Sequence, residues 1–214
     1  VNSHKMKKII AIISSLFFLT TISAKSEIQY GFGLMGGLIS TDGTETEGTA
    51  ADTSSRDKKL SEMFYGADVF VEYVAASELT LGFSYVPVNF EIGSGTRVDA
   101  SAVAENDTGT RSAQAEVSDL MSLYANIPIA DSGWYGLLGG MRATIVTNEA
   151  LNESSYGDET VNGYQVGFGQ RIDKFKYEFS YTDFEDINIT AVSTGTNSVT
   201  ADADVLAFRV SVGF

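Results

Sequence analysis

The chain of 214 residues has no cysteine, one histidine and two prolines, and its 14 Lys and Arg are outnumbered by 28 Asp and Glu. Each shortage closes off some chemistry. Without cysteine there can be no disulfide, thiolate metal site, cysteine nucleophile or cysteine-linked lipid anchor. A formal net charge of −14 leaves no basic stripe to neutralise phosphates, so nucleic acid is not expected as a partner. Aromatic residues at 11% exclude a disordered acidic tail, which is poor in such side chains. The apolar surface of this acidic chain must therefore be placed somewhere specific.

Long apolar runs are also scarce. The one clear example, Ile9 to Leu19, follows Met6-Lys7-Lys8 and leads into the small and polar residues TTISAKS. A basic start, a short apolar core and a small-residue exit describe a cleavable signal peptide over residues 1–24. Met6 is the expected initiator, with residues 1–5 upstream of it, and cleavage after Ala24 or after Ser26 leaves a small residue at the cut. The run is shorter than the roughly 20 residues a membrane-crossing helix needs. Its removal takes away three lysines, no acid and the lone His4, so the exported part carries 11 basic and 28 acidic residues, a net of −17.

The exported part, 27–214, alternates apolar and small or polar residues again and again. Tyr65, Ala67, Val69, Val71 and Tyr73 share one register; Leu79, Leu81, Phe83 and Tyr85 share the next. Phe175, Tyr177, Phe179 and Tyr181 alternate with Lys176, Glu178, Ser180 and Thr182. Weaker versions run through Tyr30–Leu34, Val117–Ile127, Tyr135–Ile145 and Tyr164–Phe168, and a strong one closes the chain at Leu206–Phe214. Period-two alternation predicts β-strands with one apolar face, eight in all.

The connections alternate as well. Short ones fall at Val74–Ser77, Pro128–Gly133 and Ile172–Lys174, and long ones near 41–62, 89–114, 147–160 and 183–204. Two long ones read as hairpins, with turns near Asn106–Gly109 and Thr194–Asn197. The pattern predicts an all-β fold: an eight-stranded antiparallel up-and-down transmembrane β-barrel behind the signal peptide. A soluble lipocalin-like barrel also alternates, with its apolar face inward. The loop asymmetry argues against it. So do aromatics at both strand ends: Tyr73, Tyr135, Phe175, Tyr177 and Phe214 near the short turns, Tyr65, Tyr85, Tyr164 and Tyr181 near the loops, where interfacial girdles lie.

The terminal strand VLAFRVSVGF places Phe208, Val210, Val212 and the last residue, Phe214, in one register. It resembles the assembly signal of bacterial outer-membrane proteins, and the exported chain resembles the small eight-stranded barrels of the OmpX, opacity-protein and OmpA transmembrane type. The resemblance lies in architecture, leader and last strand, and it reaches only the membrane half of the OmpA type. It implies a Gram-negative outer-membrane location and recognition of that strand by the barrel-assembly machinery. A setting in outer-membrane lipid and lipopolysaccharide goes with that location, and a monomer is expected because no coiled-coil pattern or flat edge argues for assembly.

The minor faces carry Asp68, Glu72, Arg142, Lys176, Glu178 and Arg209, expected as a charge network inside the barrel. Eight strands leave an interior just wide enough for side chains, so a paired ionic plug is expected over a conducting path. Phe64, Phe70, Arg142 and Arg209 are expected to fill the room left by inward glycines. With His4 removed there is no imidazole for general-base catalysis or metal ligation, and no catalytic residue, cofactor or metal is predicted. The acidic loops could offer oxygen ligands to a divalent cation, but TDGTETEG lacks the spacing of a calcium loop and solvated charge is the expectation. The function expected is structural and surface-interacting, with acidic loops displayed outside. The alternative is a narrow channel or a small-solute-binding barrel. No extracellular ligand can be named from the sequence.

Overall fold

The computed structural model describes residues 26–49, 52–99, 109–150, 156–191 and 197–214. The predicted signal peptide and most of the two predicted hairpin turns, at 106–108 and 194–196, lie outside the described residues. Ten strand segments account for nearly everything described. They are β1 (Glu27–Thr49), β2 (Asp52–Val74), β3 (Thr80–Val86), β4 (Phe90–Asp99), β5 (Gly109–Pro128), β6 (Trp134–Ala150), β7 (Glu159–Ile172), β8 (Phe175–Phe184), β9 (Ile187–Thr190) and β10 (Ser198–Gly213). All pairings are antiparallel. The order β1-β2-β3-β5-β6-β7-β8-β10 closes on itself through β10 and β1, a ring of eight in which β4 continues β3 and β9 continues β8.

Closure is tight at the lower end. Tyr30 and Phe214 exchange backbone hydrogen bonds of 3.3 and 2.9 Å, and Gly213 donates to Lys174 at 3.0 Å. The short turns share this end. Glu78, Ala130 and Asp173 take positive φ of 62°, 52° and 54°, and Gly133 takes 72°, so the chain reverses within a few residues at each. The segments predicted as long loops are different in kind. Residues 41–49 and 52–60 form a continuous ladder, from Thr41↔Leu60 to Thr49↔Asp52, that prolongs β1 and β2 beyond the barrel proper. At 23 residues each, these strands are about twice the 9–11 residues that cross a membrane.

Outward faces are apolar and exposed: Tyr30, Phe32 and Leu34 on β1, Val69 and Val71 on β2, Val166 and Phe168 on β7, Phe175 to Tyr181 on β8, Leu206 and Phe208 on β10. Neighbouring rings meet across strands, Phe208 with Phe179 at 4.7 Å and Phe179 with Phe168 at 5.8 Å. Such a belt is far larger than a water-soluble surface tolerates and suits a lipid solvent. β8 shows the rule cleanly, its residues alternating exposed and buried from Phe175 to Asp183.

Two strands depart from the expected faces. On β6, Tyr135, Leu137, Ala143 and Ile145 point inward and are buried, while Trp134 and Leu138 face out. Arg142 therefore lies on the outer face and is exposed, and the expectation that it fills the interior is wrong. Tyr135 likewise belongs to no girdle. On β5 a bulge shifts the register between Ser118 and Met121, with Asp119 at φ 50°. One extra residue flips every side chain beyond it, so Val117 is inward although Met121, Leu123 and Ile127 are outward.

Candidate functional site

The interior is layered. Nearest the short turns lies the charge network, and five of its six predicted members are there. Asp68 and Glu72 on β2 are each 1% exposed, and Lys176 and Glu178 on β8 are buried beside them. Arg209 on β10 makes a two-pronged contact with Asp68, Nε to Oδ1 at 3.0 Å and Nη2 to Oδ2 at 2.7 Å, and its Nη1 pairs with Glu178. Lys176 pairs with Glu72. The sixth charge is Arg171 on β7, whose Nη2 stands 3.5 Å from Glu72 Oε2 and from Thr80 Oγ1. Arg171 takes the place expected for Arg142. The sequence held the signal: Arg171 continues the inward register of Gly163, Gln165, Gly167 and Gly169.

Three acids and three bases make the network neutral, as burial in a low-dielectric interior demands. Two tyrosines complete it. Tyr124 donates to Glu72 Oε1 at 2.8 Å and Tyr135 to Glu178 Oε1 at 3.1 Å. Their rings fit because glycine stands opposite: any Cβ at Gly82 would overlap the Tyr124 ring, and one at Gly169 would come within 2.6 Å of Tyr135 Cζ. Phe70 lies under the two cations, 4.4 Å from Lys176 Nζ and 4.9 Å from Arg209 Cζ. Large residues on one strand are thus matched to glycines on the next, and the section is filled.

Above the charges, polarity falls away. Ser122, Gln165 and Ser180 share hydrogen bonds of 3.3 and 3.1 Å. Next comes an apolar waist of buried residues, among them Ile39, Phe64, Val86, Val117, Leu120 and Val161, over an 80 Å³ cavity that reaches down to Glu178 and Arg209. From the sequence a charged interior was expected, with Phe64 and Phe70 as its apolar fillers. Of this layer only Phe64 was foreseen, because the other residues that build it look no different from lipid-facing ones.

The waist floors a larger space of 530 Å³, open at the outer end and enclosed by the prolonged strands. Leu60, Ile92, Ile145, Ile187, Ile189 and Val199 form the aliphatic part of its wall, Thr41, Thr96, Ser112, Gln114 and Thr147 stand among them, and Glu45, Arg56, Asp57 and Lys58 lie toward the outer end. The rim carries both signs, with Asp57 turned to the outer face, where it accepts from Thr44 at 2.7 Å. The acid excess lies elsewhere on the outer end, where Lys59 pairs with Asp42 at 2.5 Å and its pKa is raised by that partner. A hydrogen bond with Asp186 raises the pKa of Asp202 from its ordinary value, with Asp42 and Asp204 adding repulsion. Among the described residues no group of His, Cys, Asp and Glu converges as metal ligands would. Phe214, the end of the predicted assembly signal, is exposed on the outer wall with its ring 6.2 Å from that of Phe32.

No protein-family model matches the chain, and no curated protein matches its sequence. Solved structures do. The outer membrane protein AlkL, determined in DMPC lipid bilayers, matches with a TM-score of 0.51 at 13% identity over 91% of this chain and 94% of that one. Neisserial surface protein A matches with a TM-score of 0.43 at 12% identity, over 89% of this chain and 100% of that one. Ail, the attachment invasion locus protein of Yersinia pestis, matches with a TM-score of 0.39 at 13% identity, over 86% and 99%. What this chain shares with AlkL is the fold: it is an eight-stranded antiparallel β-barrel of the outer-membrane type.

Proposed function

We propose that this protein resides in the outer membrane, blocks solute flow with its ionic plug, and uses the outer half of the barrel as a cup for a small uncharged apolar molecule. The surface-interaction role expected from sequence then takes the form of ligand capture, and of the alternatives the solute-binding barrel is favoured over the channel. The observation that carries this is the 530 Å³ cavity, with six large aliphatic side chains in a wall otherwise of small and polar residues, above a closed, neutral charge layer. A cavity of that size lies within the range of small-molecule sites, which are mostly apolar and preformed. The mixed charge of the rim and the acid outside it favour an uncharged ligand over an anion. In this reading outer-membrane lipid and lipopolysaccharide surround the apolar belt, and the barrel-assembly machinery reads Phe208, Val210, Val212 and Phe214. The barrel acts as a monomer, without a cofactor and without catalysis.

The test is protein-dependent fluorescence of N-phenylnaphthylamine, an uncharged apolar probe, on the full chain refolded into amphipol. Ala115, a small residue of the cup wall, is replaced by Trp to fill the space without adding charge. The expected result is saturable binding that Ala115→Trp abolishes while heat-modifiable migration on gels is retained. Equal binding by both proteins would count against the cup.

A further inference from the structure

Among the described residues two boundaries of the ring run on without a backbone ladder, β2 against β4 and β7 against β9, and the first has no bridge at all. β2 pairs with β1 along its whole length, from Glu27↔Val74 to Thr49↔Asp52, but on its other edge the ladder with β3 ends at Val69↔Tyr85. Beyond that point the neighbour is β4, which uses its ladder for β5 alone. Among the described residues no ladder hydrogen bond joins β2 above Val69 to β4. The break falls at Pro87, a residue with a fixed φ and no N–H to donate, and β4 resumes with a register shift between Glu91 and Gly93.

Side chains alone close this seam. The Phe64 and Phe90 rings stack with centroids 5.1 Å apart. Above them Leu60 Cδ1 lies 3.1 Å from where a Cβ on Gly93 would stand, and Lys58 Nζ lies 3.4 Å from that of Gly95. Leu60, Lys58, Gly93 and Gly95 also line the cup, so one layer of side chains separates its contents from the outside of the barrel. The other interrupted strand shows the contrast. Where β8 gives way to β9, Glu185 ties the gap to β7: its carboxylate accepts from Asn162 N at 2.9 Å and Nδ2 at 2.7 Å, and its own N–H donates to Asn162 O at 2.8 Å.

The level of the seam is also informative. It begins just above Tyr85, and the outward Tyr65 flanks it on β2, at the height where amphipathic rings mark the outer membrane interface. Water is available there to the unpaired edges, whereas in the hydrocarbon region they would be costly. We propose that the β2–β4 seam is a lateral portal, through which an apolar molecule held in the cup passes sideways into the outer leaflet. The proposal rests on the cup reading. Parting Leu60 from Gly93 and Phe64 from Phe90 breaks no backbone hydrogen bond, and apolar surface leaving the cup for lipid stays out of water throughout. The plug below leaves the same molecule no downward route.

A chain without cysteine allows a direct test. Leu60→Cys with Gly93→Cys is locked by oxidation, or by a short bis-maleimide where the thiols do not meet. Ser40→Cys with Ser61→Cys, an outward pair already joined across the β1–β2 ladder, is the control. N-phenylnaphthylamine binding is measured on each full-length protein in amphipol, and probe entry into the outer membrane is followed by fluorescence in intact cells. Locking the seam is expected to leave binding intact and lower entry to the rate of cells lacking the protein, with recovery on reduction of the disulfide. The control pair is expected to keep the unlocked rate. Binding together with unchanged entry in the locked protein would overturn the portal and leave the cup standing, with the β2 edge free for a strand from another polypeptide. Absence of binding in the unlocked protein would overturn both.

Discussion

Replacing Arg209 with Met removes the residue that joins the two halves of the plug. Its guanidinium, 13% exposed, serves Asp68 with two hydrogen bonds and Glu178 with a third contact. Without it Asp68 loses its ion pair, and Glu178 loses its closest cation while keeping the hydrogen bond from the Tyr135 hydroxyl. Breaking a buried pair by deleting one partner costs about 3–5 kcal/mol, because the remaining charge is left uncompensated. Two carboxylates share this guanidinium, so the upper part of that range is expected. The triple variant Arg209→Met, Asp68→Asn, Glu178→Gln removes the stranded charges and should recover most of the loss, since a neutralised interior carries no such penalty. Arg142→Met, on the exposed outer face, should change stability by less than about 0.5 kcal/mol. The measurement is a urea titration of protein folded in phosphocholine vesicles, monitored by heat-modifiable migration, with planar-bilayer conductance read on the same variants. Wild-type protein should conduct no better than the bare bilayer, and Arg209→Met should show open events. A loss below about 1 kcal/mol for Arg209→Met, or a triple variant less stable than the single one, would refute the view that pairing within a neutral plug holds this layer.

Two further outcomes follow from the interior and the rim. Gly82→Leu would drive a side chain into the Tyr124 ring, displacing its hydroxyl from Glu72, and overpacking of this kind costs about 1–3 kcal/mol in the same titration. At the outer end, the hydrogen bond between Asp202 and Asp186 holds a proton more tightly in the folded protein than in the unfolded chain. A raised carboxyl pKa stabilises the fold below it, and the contribution is lost as pH rises from the ordinary aspartate range through the raised value. Amides of β10 from Ser198 to Asp204, corrected for intrinsic rates, should therefore be better protected from hydrogen exchange on the acid side, and Asp202→Asn should abolish that dependence.

How far the chain could be read residue by residue depended on contrast between its faces. β8 was legible because Phe175, Tyr177, Phe179 and Tyr181 alternate with two charges and two hydroxyls, so one face could only be lipid and the other only interior. The same contrast placed Asp68, Glu72, Lys176, Glu178 and Arg209 inside. β6 offered no such contrast: Trp134 and Leu138 are as apolar as Tyr135 and Leu137, and its only charge in that stretch, Arg142, faces out near the rim, where a charged group meets water. On β5 the registers of Val117 and Met121 are continuous on paper, and only the bulge at Asp119 separates them.

The cysteine-free, acidic, alternating chain by itself determined that there would be eight strands, one lipid-facing side to most of them, and a set of charges with nowhere to go but inward. Period-two patterning is local, and it survives any closure of the sheet. Tertiary structure alone decided which arginine completes the plug, that an apolar waist and cup lie above it, and that β2 and β4 meet without a ladder. Those features depend on how strands from distant parts of the chain face one another across a lumen. An isoleucine facing lipid and an isoleucine facing a ligand carry the same signature in sequence, because both are merely hidden from water.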